Sequence, residues 1–344
     1  MKFERLSERK HEAITREKVM TTGKSALRFA VLPAMLAVAA GALAQSDYPS
    51  RPIRMISPFD AGGGSDLLSR VLAQKMAEQM SVPVLVENKP GANANIAAEF
   101  VVRAPADGYT LLFHTAGLAL NPALYAKMTY DPLKDLAPVA LTGTSPLVLA
   151  VHPGLPVNNV SEFIAHVRAN AGKLSYASAG HGNITHLAAF LILQGNGLEA
   201  VQVPYKGGAP AVAAVAGGFT QFTTQTPSTV TPLARSGKVK ALAVTTLART
   251  ASLPDVPTFN ETIMPKFEVS TWQAVMAHAR TAPAQITRLN AEIVKALQSA
   301  DVRAKFLAQD TQPLGSTPIE YGAYLKGEIE RWKQTVKAAG IKPE

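Results

Sequence analysis

Apolar positions recur along the chain with two different periods, and the changes of period mark its elements. Ile53, Met55 and Ile56 read as a short strand, and the pattern then breaks through Pro58-Phe59-Asp60 and three consecutive glycines. Beyond the break, Leu67, Leu68, Val71, Leu72, Met76 and Met80 fall at helical spacing. A strand over 53–57, a glycine turn and a helix over 66–80 are therefore predicted. Further strands are predicted at 84–87 and 109–113, with a helix over 95–103 between them. A second series starts at the apolar run 146–153 and continues with a helix at 160–170, a strand at 174–177, a helix at 184–194 and a strand at 201–205. A buried strand at 239–246, a strand at 269–277 returning to the first domain, and helices at 284–298, 301–309 and 318–339 complete the chain. Strands alternating with helices predict α/β layers with largely parallel sheets.

In such sheets the loops at the carboxyl ends of strands gather on one edge, where ligands bind. The first such loop holds Phe59, Asp60, Ala61, Gly62, Gly63, Gly64, Ser65 and Asp66. Its glycines remove the Cβ atoms that keep a ligand off the backbone, and the helix that follows opens with N–H groups lacking internal partners. Those donors suit an anion; a tight loop in which Ser65 or Asp66 merely caps the helix is the alternative. The 87–95 turn offers Asn93 or Asn95 as a cap, and Thr115 lies in a third loop. Ser178, Ala179, Gly180, His181, Gly182 and Asn183 repeat the first loop's logic between strand and helix, and Tyr205 and Lys206 follow another strand. Two facing glycine loops would make a cleft with donors on both walls.

Composition changes the picture at the amino end. From Lys24 and Arg28 the chain runs into an apolar stretch ending Gly41-Ala42-Leu43-Ala44, the pattern of an export signal cleaved after Ala44. The stretch is shorter than the ~20 residues a spanning helix needs. Residues 1–19 are dense in charge, unlike an export signal, so translation is expected to start at Met20. Residues 1–44 carry eight Lys+Arg and four Asp+Glu; 26 and 21 remain beyond them, a net of +5. With no basic block, nucleic-acid binding is not supported. The absence of cysteine excludes disulfides, thiol catalysis and a lipid-modified cysteine, and points to a protein free in the periplasm if the source is a diderm bacterium.

Candidate chemistry beyond binding is sparse. The nucleophile-elbow motif G-x-S-x-G is absent, and Gly23-Lys24-Ser25 lacks the rest of a phosphate loop. His181 and His186 are separated by a helix start, so their rings are expected not to share a face or hold a metal. No cofactor or metal is expected, and binding without turnover is favoured over a hydrolase or isomerase.

Nine runs in one order carry a family resemblance: YPSRPIR at 48–54, AGGGSD at 61–66, VENKPGA at 86–92, ADGYTLL at 106–112, NPALY at 121–125, YASAG at 176–180, VPYKGGAPA at 203–211, KALAVTT at 240–246 and LPDVPTF at 253–259. Together they resemble the Bug-type solute receptors of tripartite tricarboxylate transporters over residues 47–344. The resemblance implies a periplasmic binding protein with two α/β lobes, of the type II-like kind. One lobe would comprise 45–144 with 269–344 and the other 145–268, closing over a small carboxylate. It also implies a monomer whose partners are a small organic acid and membrane permease subunits. A sensor role, reporting occupancy to a signalling protein, would use the same cleft. Asp60 stands where relatives have a small neutral residue; it either pairs with an ammonium or hydroxyl of the ligand or turns to solvent. The segment 222–227 lacks the Asp that relatives commonly place near Thr224, which removes one candidate contact to an amino group. Ligand identity among dicarboxylates, tricarboxylates, amino acids and aromatic acids stays open.

Overall fold

The computed structural model describes residues 48–58, 61–62 and 64–343. The predicted leader, the export signal with its cleavage site, Phe59, Asp60 and Gly63 lie outside the described residues. The run at 53–57 forms β1 (Ile53–Ser57), buried along nearly its whole length. Its parallel neighbours are β2 (Val84–Asn88) and β3 (Thr110–Thr115). Parallel strands cannot be joined by a hairpin, so each connection carries a helix: α1 (Gly64–Met80) and α2 (Asn95–Val102). Helix α3 (Gly117–Leu124) then leads to β4 (Leu136–Pro146).

Only Leu147 separates β4 from β5 (Val148–Val151), so one extended segment serves two sheets. The second sheet adds β6 (Ser175–Ser178), β7 (Val201–Pro204), β8 (Phe222–Gln225) and β9 (Lys240–Val244), in the order β7-β6-β8-β5-β9. Its helices are α4 (Val160–Ala169), α5 (Ile184–Gln194), α6 (Gly208–Ala216) and α7 (Pro227–Arg235). The chain returns through β10 (Ser270–His278) into the first sheet, adds α8 (Pro283–Gln298), α9 (Ala300–Leu307) and β11 (Gln312–Pro313), and ends in α10 (Pro318–Ala338). The first sheet has the order β11-β4-β10-β3-β1-β2. In each sheet most strands run one way. The strand that enters from the other sheet, β10 or β5, runs antiparallel to its neighbours. Each sheet with its helices is a lobe, and residues Arg51–Glu344 make up one compact unit.

One feature of the packing positions the site. The first lobe's apolar cluster holds Trp272, Tyr321 and Trp332, and it also takes in Ile184, Leu187 and Ala188 from α5 of the second lobe. The lobes are further joined at Thr245, which is fully buried. Its N–H donates to the Leu147 carbonyl (2.9 Å) and its hydroxyl accepts from Leu147 N–H (2.9 Å), while Val269 N–H donates to the Thr245 carbonyl (2.9 Å). The same hydroxyl donates to the Val269 carbonyl at 2.5 Å. One residue thus clasps both segments that connect the lobes.

Candidate ligand-binding site

The first glycine turn is built around Asp66. Its carboxylate is buried and accepts from Gly62 N–H (2.9 Å), Arg70 Nε (2.9 Å) and Asn88 Nδ2 (2.7 Å). Burial opposes ionisation, but Arg70, the Gly62 N–H and Asn88 outweigh it and hold the carboxyl below the usual Asp range. Asp66 therefore shapes the turn from within, and Gly62 N–H is already spent on it. Gly62 has φ +87°, the left-handed region that favours glycine, and a Cβ there would meet nothing within 4 Å. Ala61, Gly62 and Gly64 are exposed and Ser65 half-exposed at the opening of α1.

The second glycine loop is also braced internally. Asn183 caps α5, its side chain accepting from Thr185 N–H at 3.0 Å. Ala179 N–H donates to the Thr185 hydroxyl (2.8 Å) and Gly182 N–H to His186 Nδ1 (3.1 Å). Ser178 Oγ is buried, donating to the Gly180 carbonyl (3.1 Å) and accepting from Gln202 Nε2 (2.7 Å). Among the described residues, the N–H groups of Gly180 and His181 meet no acceptor. Of this loop's backbone donors, those two are left for a ligand.

The rings of His181 and His186 lie 5.2 Å apart between centroids, contrary to the expectation from helical spacing. The reason is that the loop folds back: Gln202 Oε1 holds His181 Nδ1 at 3.1 Å while His186 reaches back to Gly182. Burial, with His181 beside it, lowers the His186 pKa to about 4, so the ring is neutral and an acceptor at neutral pH. No cluster of three or more metal-ligating side chains occurs among the described residues.

A chain of contacts connects the two loops. Asn88, which bonds Asp66, opens the 88–95 turn, where Ala92, Asn93 and Ala94 all adopt positive φ (47°, 47° and 74°). Asn121 of α3 holds that strained turn, donating to the Asn93 carbonyl (3.0 Å) and Asn95 Oδ1 (2.8 Å) and accepting from Asn93 Nδ2 (2.7 Å). At the far end of α3, Leu124 packs so closely on Gly182 that a Cβ there would sit 2.5 Å from Leu124 Cδ2. The second lobe's glycine loop thus rests on the first lobe.

A profile described as "Tripartite tricarboxylate transporter family receptor" matches residues 68–341. The chain belongs to this receptor family. The receptor is 37% identical over 297 residues to Protein BugT of Bordetella pertussis, an alignment spanning 86% of this chain and 91% of that protein. Among solved structures it is similar to R. palustris Rpa4515 with adipate (33% identity, TM-score 0.78, 86% of this chain and 100% of that one). It is also similar to MatC from Rhodopseudomonas palustris with bound malate (30% identity, TM-score 0.72, 84% and 100%). The periplasmic binding protein BugD has 33% identity and TM-score 0.75, over 86% of this chain and 100% of that one.

The other residues expected at the receptor's site divide by what they touch. Thr224 is fully buried and its hydroxyl donates to the Thr185 carbonyl at 2.5 Å, which ties β8 to α5. Tyr205 N–H donates to the Ser178 carbonyl (2.9 Å), and its half-buried ring packs against the second lobe's apolar cluster. Thr115, 9% exposed, ends β3 beside His114, which is fully buried and lowered to about 4 chiefly by that burial. Gln202, Asn121 and Leu124 carry no local signal as braces, because each acts across a contact distant in the chain, and Thr185 braces Ala179 only once the loop folds back on the helix start.

Proposed function

We propose that this receptor captures a small organic acid between its lobes and hands it, unchanged, to membrane permease subunits of a tripartite carboxylate transporter. One observation carries the reading. Each sheet ends in a glycine loop that opens a helix, and these loops are braced by their own side chains in a fold shared with receptors solved with adipate and malate. Helix amino termini and unspent N–H groups, here Gly180 and His181 on one wall and the opening of α1 on the other, are the chemistry that holds a carboxylate. Ala61, Gly64 and Ser65 would line the first wall. Micromolar binding corresponds to about −8 kcal/mol, within reach of a few charge-assisted hydrogen bonds at ~1.5–3 kcal/mol each after ordering costs.

The cell address follows from the amino end. Cleavage after Ala44, from a start at Met20, would release the receptor into the periplasm as a monomer; sequencing the amino terminus of the exported protein tests this. Calorimetry with dicarboxylates, tricarboxylates, amino acids and aromatic acids tests the ligand class. Saturable binding of at least one acid, with the acid recovered unaltered, is the expected result. No binding of any of them, or turnover of the bound compound, would refute the proposal.

A further inference from the structure

A groove of about 660 Å³ lies on the first lobe, between α2 and the β1–β2 edge of its sheet, and it carries positive charge that the lobe itself leaves unspent. Its floor is the half-buried ring of Phe100, with Lys89 Nζ 4.2 Å and Arg54 Cζ 5.0 Å from the ring centroid. Arg54 is held by Glu87, whose carboxylate accepts from Nε at 2.5 Å and Nη2 at 2.7 Å. Arg103 meets Glu99 only at 3.5 Å, and its side chain is 72% exposed. Among the described residues, Lys89 Nζ has neither a hydrogen bond nor an ion pair. Three cations thus face two carboxylates, and the surplus sits on Lys89. Ile96 (47% exposed) and Pro105 wall the groove, and Leu85 (53% exposed), which stands beside Arg54 in the β1–β2 register, extends its apolar rim. The groove also backs onto the 88–95 turn. Lys89 follows Asn88, which bonds Asp66, and Ile96 packs on Gly91 so closely that a Cβ there would lie 2.6 Å from Ile96 Cδ1.

From this, and resting on the transport reading above, we infer that the groove docks an acidic segment of a membrane permease subunit, with carboxylates on Lys89 and Arg103 and an apolar side chain laid against Phe100 and Ile96. The chemistry favours a protein segment over a second small acid. The cations stand on long side chains open to water, where a single ion pair contributes little. A segment that reaches several of them while covering Ile96, Phe100 and Leu85 excludes water from all these contacts at once, the composition of an interface with aromatic and arginine anchors inside a charged rim. Uncompensated positive charge also steers an acidic partner to this face. The position suits a permease that must tell a loaded receptor from an empty one. A segment seated here rests on the same turn that joins Asp66 of the first glycine loop to Asn121 and α3, on which Gly182 of the second loop lies.

The test is photocrosslinking of the full-length receptor in its native host, with a photoreactive phenylalanine analogue in place of Ile96. The same analogue in place of Phe219 (80% exposed, second lobe) or Ile319 (85% exposed, on α10) serves for comparison. Irradiation of cells carrying it at Ile96 should join the receptor to a permease subunit identified by peptide mass spectrometry. Adding Lys89→Glu and Arg103→Glu should cut the yield of that adduct about 10-fold, while organic-acid binding by the purified variant in calorimetry stays within about 2-fold of the unaltered receptor. If the double variant fails to fold, Arg103→Glu alone, at a side chain mostly in solvent, should still lower the yield. No permease adduct from Ile96 overturns the inference, as does an adduct whose yield survives the charge reversals. If Phe219 or Ile319 then gives the permease adduct, only this surface falls and transport stands. A receptor that gives no permease adduct from any of the three positions counts against the transport reading as well.

Discussion

At the scale of single residues, the site is held by buried groups whose protonation is fixed by their surroundings. Asp66 gives its oxygens to Gly62, Arg70 and Asn88. Asp66→Ala leaves those donors without their acceptor, and we expect a loss of about 2–3 kcal/mol in urea unfolding together with weaker ligand binding. His114 and His186 behave oppositely to a histidine that gains a partner carboxylate. Burial lowers each to about 4 in the folded chain, against about 6.5 when unfolded. Between those values the unfolded chain binds more protons, so the stability from these two rings is complete above about pH 6.5 and is lost as pH falls toward 4. Each histidine contributes on the order of 1 kcal/mol per pH unit across that window. Chemical unfolding at pH 7, 6 and 5 should show the decline, and a flat profile would contradict it. Residue identity made the glycine loops and the helices they open legible, since glycine and helix starts are local signals. It did not reveal that Gly62, Ala179 and Gly182 already spend their N–H groups inside the loops, because their acceptors are set by the folded geometry.

At the scale of elements, the second glycine loop is specified by how it meets α3. Gly182 has φ +66° and no room for a Cβ against Leu124 Cδ2. Gly182→Ala thus carries two costs, about 1–2 kcal/mol for a left-handed alanine and a further clash that a flexible leucine end relieves only partly. Combining it with Leu124→Ala should recover the clash and leave the backbone cost. The double mutant would then be more stable than the two single effects added together. Additive losses in thermal unfolding would mean the contact is not what excludes a side chain. The elements that sequence periodicity located closely, β1, α1 and α5, have unbroken apolar spacing and clear ends. Those it passed over have their signals diluted. Helix α3 contains Pro122, α6 is five alanines and two valines behind a glycine and a proline, β8 is two threonines and a glutamine behind one phenylalanine, and β4 carries Pro138, Gly143 and Pro146. In each, long-range pairing or packing overrides weak local preference.

At the scale of the whole molecule, motion between the lobes must pass through the two connecting segments, and Thr245 grips both. Its hydroxyl accepts from Leu147 N–H and donates to the Val269 carbonyl, while Thr250 of the following segment donates to Asp310 of the first lobe at 2.8 Å. Hinge closure is absorbed by a few backbone torsions at such crossings. A ligand can shift it only by binding one arrangement better than the other. Thr245→Val keeps the shape and removes the hydroxyl, leaving a buried N–H and a buried carbonyl less well paired, which should cost about 2 kcal/mol of stability. Asp310→Ala takes the acceptor from the buried Thr250 hydroxyl and from Ser252 N–H and should cost about 1 kcal/mol, less than Thr245→Val, while altering how the lobes move. If the clasp sets the hinge, Thr245→Val changes ligand affinity and the rate of closure in stopped-flow fluorescence of the native tryptophans. Asp310→Ala then changes the rate with a smaller loss of stability than Thr245→Val. Unaltered closure in both variants would place the pivot elsewhere, in the apolar contact that Ile184 and Leu187 of α5 make with the first lobe.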